Sequence, residues 1–461
     1  MPEQAKSVMP AIVERYFGNG LDRIDGLTDG CNALRFLRLF DGIVKFDHDS
    51  KKWFIWDENR WTVDTTDRIL LYAREIVKVL LKEALSNPIG GDFEEYLHFI
   101  RHTDSPAGLK NLLKLAGAYP QIACTATDFD AGELLLGAGP VTIDLEMICS
   151  EPAKPEDLIT KKIGPEYDPE ATCPKFESFM KDVTDGDDDL SRYIQKAVGY
   201  SLTGSMEDES FFYLYGPTGT GKTTFLNTIY RLLGDYAAHV DFSTFLTSKN
   251  GTIRNDLAAL KGTRFITASE PEANDTFSGS TIKSWTGRDP VTARFLFHEF
   301  FTFVPTGKVW LSSNHMIAAE TDASFWRRIK VVPFKHRLPE DQRGLKEDLL
   351  LELPGILNWA LRGLYFYWTE GLNPPKAVID ATTEYRRSND SLEQFIVECC
   401  VIEESAVTKN QMLYVQYAEY CRTFTLDCYS QRRFSLELSA KPRIKKIRRS
   451  DGAYWQGIGI K

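Results

Sequence analysis

The sequence predicts an α/β protein of several domains, and three observations carry that reading. Between residues 209 and about 334, strand-like apolar runs alternate with helical ones, the pattern of a parallel sheet with crossover helices. Within that region, "FFYLYGPTGTGKTTFLNTIYRLLG", beginning at Phe211, takes an apolar strand through a glycine-rich loop into an amphipathic helix. Residues 391–461 then read as three helical runs and a basic hairpin, separate in character from what precedes them.

Length and composition leave room for this organisation. A chain of 461 residues accommodates about two to four domains, and a hydrophobic fraction of 43% with 12% aromatics supplies packed cores. Charged residues make up 26%, an ordinary globular share. No apolar run approaches the ~18 residues of a membrane span. The start, "MPEQAKSVMPAIVERYFGNG", lacks the basic-then-apolar order of a secretion signal. The eight cysteines form no CxxC pair, and Cys399 and Cys400 are adjacent, so reduced thiols in a cytoplasmic protein are expected and structural zinc is not. The net charge of -10 excludes a surface that is basic all over, yet residues 432–461 hold nine Lys/Arg against Glu437 and Asp451.

Taken in order, residues 1–175 read as a mixed α/β domain. "KWFIWDENRWTVD" gives two short strands around an Asp-Glu-Asn turn, and "DRILLYAREIVKVLLKEAL" has apolar residues at helical spacing. "TKKIGPEYDPEATCPKF" is rich in turn formers and reads as a connector. Residues 176–208 read as a helical collar, with the acidic turn of "KDVTDGDDDLSRYIQKAVGYSL" as a solvated cap before its helix. Residues 209–345 form the α/β core, and residues 346–390, through "EDLLLELPGILNWALRGLYFYW", are helical. In residues 391–461, "SLEQFIVECCVI", "NQMLYVQYAEYCRTF" and "SQRRFSLELSA" are helical, and "RIKKIRRSDGAYWQGIGI" is a hairpin turning at Ser450-Asp451-Gly452. Three helices followed by a basic hairpin is the pattern of a winged helix.

The chemistry begins at the loop. Gly216-Pro-Thr-Gly-Thr-Gly-Lys222-Thr223 matches GxxxxGK[ST] completely, with a strand before it and a helix after. Gly216, Gly219 and Gly221 let the backbone curl so that its N–H groups converge on phosphate oxygens, and the helix N-terminus adds its positive end. Pro217, Thr218, Thr220 and Thr224 complete the expected triphosphate cradle. Lys222 is expected to reach the β- and γ-phosphates and Thr223 to give an oxygen to magnesium, so ATP and Mg2+ are the expected cofactors. A second strand, "TRFITASEPE", leads to Glu270, expected to hold the magnesium, and to Glu272, expected to polarise the attacking water. A third, "KVWLSSNH", ends at Asn314, whose amide can bridge that water and the γ-phosphate. In "SFWRRIKVVPF", Arg327 and Arg328 precede another strand. An arginine can stabilise charge on the transferring phosphoryl group, and at a subunit edge it would serve the neighbour's nucleotide.

In sequence order the loop, "ASEPE", "IKSWTGRDPVTARF", "WLSSNH" and "FWRRI" resemble superfamily 3 helicases, above all the helicase part of poxvirus and satellite-phage primase-helicases. The upstream connector, "GYSLTG" and the winged-helix-like tail extend the likeness over most of the chain. The resemblance implies an AAA+ P-loop ATPase core in a homo-hexameric ring that translocates on single-stranded DNA, usually 3′ to 5′. It implies a replicative helicase of a virus, phage or mobile element, at work in the host cytoplasm. Forked DNA and a separate primase or other replication proteins are its implied partners, and no membrane is. By position, Lys222 and Thr223 fall on Walker A, Glu270 on Walker B and Asn314 on the sensor. Arg328, ahead of Arg327, falls on the arginine finger, and Lys283 lies where it would touch a neighbour's phosphate or the DNA.

Residues 291–305 resemble the DNA-gripping hairpin, with Arg294 and His298 near the strand and most of its phenylalanines packing it on the core. In the tail, "SQRRFSLELSA" would be a recognition helix, and Lys445, Lys446, Arg448 and Arg449 would make phosphate contacts from the wing. Three features depart from the group. No carboxylate triad for nucleotide polymerisation stands in the first 175 residues, "GAGPVTIDL" replaces the usual loop before a strand, and Phe297-His298 occupies the hairpin tip. The rivals are a non-unwinding AAA+ loader, packaging motor or origin-binding ATPase, and a primase-helicase whose primase is hidden.

Overall fold

The computed structural model describes residues 24–86, 93–245, 255–268, 276–294, 301–319, 323–339, 344–424, 426 and 428–461. Its first body packs the helices Asp29–Phe40 (α1), Arg68–Ser86 (α2), Phe93–Thr103 (α3) and Pro106–Ala116 (α4) against a small sheet. The strands Val44–Asp47 (β1), Lys52–Trp56 (β2), Trp61–Val63 (β3) and Ala123–Cys124 (β4) lie in the order β3-β2-β1-β4. The two strands expected in "KWFIWDENRWTVD" are β2 and β3, antiparallel neighbours. The long helical run is α2, which buries Ile69, Ala73, Ile76, Leu80 and Ala84 at three- to four-residue spacing. At the centre of this body Arg35 pairs with Glu83 at 3.0 Å, with side chains 0% and 2% exposed. Tyr96 donates to the same carboxylate, and Arg35 also donates to the carbonyl of Ile24 at 2.7 Å. A buried ion pair holds only when its remaining lone pairs and protons are satisfied, as they are here.

The strands Leu135–Gly137 (β5), Val141–Asp144 (β6) and Cys149–Pro152 (β7) form an antiparallel meander. Its Leu136, Ile143 and Leu145 join the core of the next body, not that of the first. The stretch expected to be one unit over residues 1–175 thus contributes to two cores. The helices Pro174–Val183 (α5) and Asp188–Leu202 (α6) follow. The acidic turn caps α6 through Asp187, whose side chain accepts from the Leu190 amide. It also reaches across the fold, because Asp185 faces His336 at 3.3 Å.

The central sheet is parallel throughout. Phe211–Tyr215 (β8), Ala237–Val240 (β9), Phe265–Ala268 (β10), Lys308–Ser313 (β14) and Ile329–Pro333 (β16) lie in the order β16-β8-β14-β10-β9. The helix Lys222–Leu233 (α7) follows β8. Between β9 and β16 come Asn255–Ala258 (α8), Thr276–Phe277 (β11), Gly279–Thr286 (α9), Val291–Ala293 (β12), Phe301–Phe303 (β13), Ala318–Ala319 (β15) and Ala323–Arg328 (α10). Side chains alternate between the two faces. Phe212, Leu214 and Trp310 enter the core shared with α5, α6 and α7, whereas Phe211, Tyr213 and Leu311 enter the opposite one. Burial on both faces is why these strands read as continuous apolar runs.

Two buried cations fasten the meander and α6 to the starting edge of this sheet. Arg264 donates to the carbonyls of Leu202 and Leu135, each at 2.7 Å, and lies 4.5 Å from the Tyr236 ring. Lys308 donates to the Thr203 carbonyl at 2.5 Å and sits 4.4 Å from the Tyr200 ring. Burial holds the Lys308 ammonium well below its usual pKa.

The long helical stretch is two helices, Leu345–Leu351 (α11) and Leu353–Glu370 (α12), because Pro354 at the start of α12 suits a first turn and not a helix interior. Lys376–Ser388 (α13) leads to the tail, which has its own core around Phe434 and Trp455. Its elements are Ser391–Cys399 (α14), Cys400–Val401 (β17), Val407–Lys409 (β18), Asn410–Thr423 (α15), Gln431–Ser439 (α16), Lys445–Arg449 (β19), Gly452–Gln456 (β20) and Gly459–Ile460 (β21). The sheet β18-β20-β19 is antiparallel, and Arg449 pairs with Gly452 around Ser450-Asp451, the turn the sequence predicts. Among the described residues no helix is long and apolar enough to cross a membrane.

The Arg35–Glu83 pair gives a first test. Glu83→Gln leaves a buried guanidinium uncompensated and should cost the first body about 3 kcal/mol. Hydrogen exchange would register this as faster exchange across α1, α2 and α3, with the central sheet unchanged.

Candidate functional site

In a parallel sheet every strand ends on the same side, and ligands bind in the crevice beyond those ends. Ser313 is level with Tyr215, so Asn314, half-buried, follows β14 beside the point where Gly216 leaves β8. The loop is pressed from behind. A Cβ on Gly216 would stand 1.8 Å from the Phe334 carbonyl oxygen, while the Phe334 amide donates to Tyr215 and the Leu338 amide to Gly219. Gly221, at a φ of 85°, caps α7 in a conformation that few side chains adopt, and Phe179, Val183 and Leu338 crowd it. The phosphate loop is thus wedged between α5 and the segment after β16.

Lys222 is 5% exposed. Its amine donates to the carbonyls of Gly216 at 2.6 Å and Pro217 at 2.8 Å, and to the Thr220 hydroxyl at 3.3 Å. A buried ammonium over a curled loop, with the exposed hydroxyl of Thr223 beside it at the positive end of α7, fits a triphosphate and its magnesium. Pro217, Thr218 and Gly219 are exposed at the loop tip, and Thr224 is half-buried on the first turn of α7. Strand β10 ends at Ala268, and Glu270 and Glu272 lie outside the described residues. Sequence reasoning passed over a cavity of about 410 Å³ beside α7, lined by Thr224, Thr228, Arg231, His239, Thr267 and Lys346. The His239 ring and the Thr267 hydroxyl are 2.9 Å apart there.

The arginine pair lies elsewhere. Ile329 pairs with Phe211, so Arg327 and Arg328 stand where β16 and β8 begin, at the opposite edge of the sheet from the loop. Arg328 is the member expected, ahead of Arg327, at the arginine finger. Its side chain is only 10% exposed and is held inside its own chain, with Nε on the Thr286 hydroxyl at 2.9 Å, Nη1 on the Ser324 carbonyl at 3.0 Å and Nη2 on Glu209 at 2.7 Å. Arg327 is 68% exposed and pairs with the same Glu209. Sequence reasoning did not single out Glu209; the available signal was an acidic run, Glu207-Asp208-Glu209, one residue before a buried strand.

The expected hairpin is β12 and β13, with Val291 opposite Phe303 and Ala293 opposite Phe301. Phe303 is buried and Phe301 packs against the same core, as expected, while Phe295, Phe297 and Phe300 lie outside the described residues. Arg294 directly follows β12, half-buried, and Lys283 is half-buried on α9, while His298 lies outside the described residues. In the tail Lys445, Lys446, Arg448 and Arg449 are exposed along β19. Aromatic rings support two of them: Lys446 lies 5.3 Å from Trp455, and Arg449 lies 5.1 Å from Tyr454.

Comparison with known proteins adds the following. Residues 33–185 match the family described as "D5 N terminal like", and residues 214–328 match a family of unknown function, DUF5906. The chain is 26% identical over 432 residues to "Putative helicase L207/L206" of Acanthamoeba polyphaga mimivirus, covering 83% of this chain and 45% of that protein. It is 25% identical over 235 residues to "Putative helicase 022R" of Frog virus 3 (isolate Goorha), covering 46% of this chain and 24% of that one. The chain therefore spans less than half the length of these viral relatives. A solved structure, "The apo structure of NrS-1 C terminal region (305-718)", matches with a TM-score of 0.50 over 90% of this chain and 96% of its own. At 10% identity that likeness is one of fold.

The cradle makes a direct prediction. Gly216→Ala places a methyl against the Phe334 carbonyl, and Lys222→Ala removes the buried amine. Each should weaken binding of a fluorescent ATP analogue at least about tenfold, roughly 1.4 kcal/mol. Gly216→Ala should also lower the melting temperature, and Lys222→Ala should not.

Proposed function

We propose that this chain is the motor of an ATP-dependent replicative DNA helicase, an AAA+ hexameric ring of identical copies. The observation that carries the ring is the polarity of the sheet. The loop leaves β8 after Tyr215, whereas the arginines precede β16 at the level of Phe211. Five residues of strand, at ~3.3 Å each, separate them by roughly 16 Å. Such arginines serve a neighbour's triphosphate and not their own. In this reading Arg327, the exposed member, is the arginine finger, and Arg328 fixes the end of α10 from within.

The residues then divide the work. Lys222 and the loop amides hold the phosphates, and Thr223 with Glu270 holds magnesium. Glu272 and Asn314 orient the attacking water. Hydrolysis of the bound triphosphate supplies the free energy for movement. The β12–β13 hairpin, with Arg294, His298 and Lys283, grips single-stranded DNA in the pore. The tail, in the order helix, two short strands, two helices, hairpin and a last short strand, is read as a winged helix that sets Lys445, Lys446, Arg448 and Arg449 on duplex phosphates near a fork. The viral relatives named as putative helicases support the reading. A virus, phage or mobile element replicating in host cytoplasm, with a separate primase as partner, is its setting.

Strand displacement on forked DNA tests this reading. Unwinding that needs ATP and a single-stranded tail is expected; ATPase stimulated by single strands without unwinding on either tail polarity would favour a loader instead. Mixing Arg327→Ala with Lys222→Ala subunits should restore part of the ATPase that each lacks alone. Reversing the four wing charges should flatten the salt dependence of duplex binding by up to about 3 to 4 in log–log slope, and leave ATPase on single strands intact.

A further inference from the structure

We infer that Glu209 is a positioning residue that aims the arginine pair at the neighbouring subunit, controlling hydrolysis there through Arg327. The inference rests on the ring reading above. A single carboxylate oxygen of Glu209 takes both guanidinium groups, Arg328 at 2.7 Å and Arg327 beside it. Without that shared acceptor, two like charges on consecutive residues would repel and splay. With it, one positive charge stays uncompensated at the edge, which is what a phosphoryl group from another copy requires.

The geometry around Glu209 is set from both sides. Its φ of 47° is left-handed, an unusual backbone for a glutamate, and its amide donates to the Met206 carbonyl at 3.0 Å. The preceding Asp208 accepts from the Tyr367 hydroxyl of α12 at 2.5 Å. On the arginine side, Lys330 donates to the Arg327 carbonyl at 2.6 Å, and Arg328 is tied to α9 through Thr286. Arg327 therefore has a fixed root, and among the described residues its exposed side chain is anchored by Glu209. Because Glu209 precedes β8 while the loop follows it, the carboxylate lies at the far edge from its own chain's cradle.

Full-length Glu209→Gln protein tests the inference, with Glu209→Asp, whose shorter carboxylate cannot span both arginines, as the version to use if Gln does not fold. The variant should bind ATP as the parent does, and its kcat for ATP hydrolysis should fall about 10- to 100-fold with KM unchanged, the loss expected from a misplaced catalytic group. Mixed with Lys222→Ala subunits, whose arginine side is intact, it should regain activity. Mixed with Arg327→Ala subunits it should not, since both then lack a working arginine side. Parental kcat in Glu209→Gln, or recovery in the mixture with Arg327→Ala, overturns the inference while the ring reading stands. If Arg327→Ala and Lys222→Ala fail to complement each other although mixed assemblies form, donation between subunits falls, and the role of Glu209 with it.

Discussion

The direction of the central strands is the constraint on which everything else in this molecule depends. Because β16, β8, β14, β10 and β9 all run one way, the sheet has a finishing edge and a starting edge with different chemistry. The finishing edge carries the glycine loop, Lys222 and Asn314; the starting edge carries Glu209, Arg327, Arg328, Arg264 and Lys308. A parallel sheet cannot bring these two sets together within one chain. Between chains they could meet, which is what the proposed ring requires.

The order of the strands matters as much as their direction. Placing β14 between β8 and β10 sets the Asn314 strand next to the loop strand, with the β10 strand one place beyond. Contacts from behind then hold the loop in shape: the Phe334 carbonyl against Gly216, and Leu338, Phe179 and Val183 around Gly221. These come from α5 and from the segment after β16, far apart in sequence, so the cradle is a product of the whole central body.

Much of this was legible from the residues, and the exceptions have physical causes. The loop, the strands leading to Ala268 and Asn314 and the Ser450-Asp451 turn were readable because each is written in local sequence, in glycines, apolar runs and turn formers, whereas the β12–β13 ladder was expected from the family resemblance. Core membership was less so. The meander around Leu136 and Ile143 carries no local sign of which neighbour it will pack on, so a boundary drawn near residue 175 divided differently in space. Which of Arg327 and Arg328 is buried was equally hidden, since it turns on Arg328 meeting Thr286 and Ser324. The acidic turn read as a solvated cap does cap α6, but it also meets His336, from a segment about 150 residues away.

The buried cations at the starting edge have a consequence for how the sequence can drift. Arg264 and Lys308 spend their donors chiefly on main-chain oxygens of Leu202, Leu135 and Thr203. Every residue type offers the same oxygen, so the positions being gripped are free to vary, while the gripping residues are not. Divergence among descendants of this chain should therefore be lopsided there: two fixed basic residues facing a shifting set of neighbours.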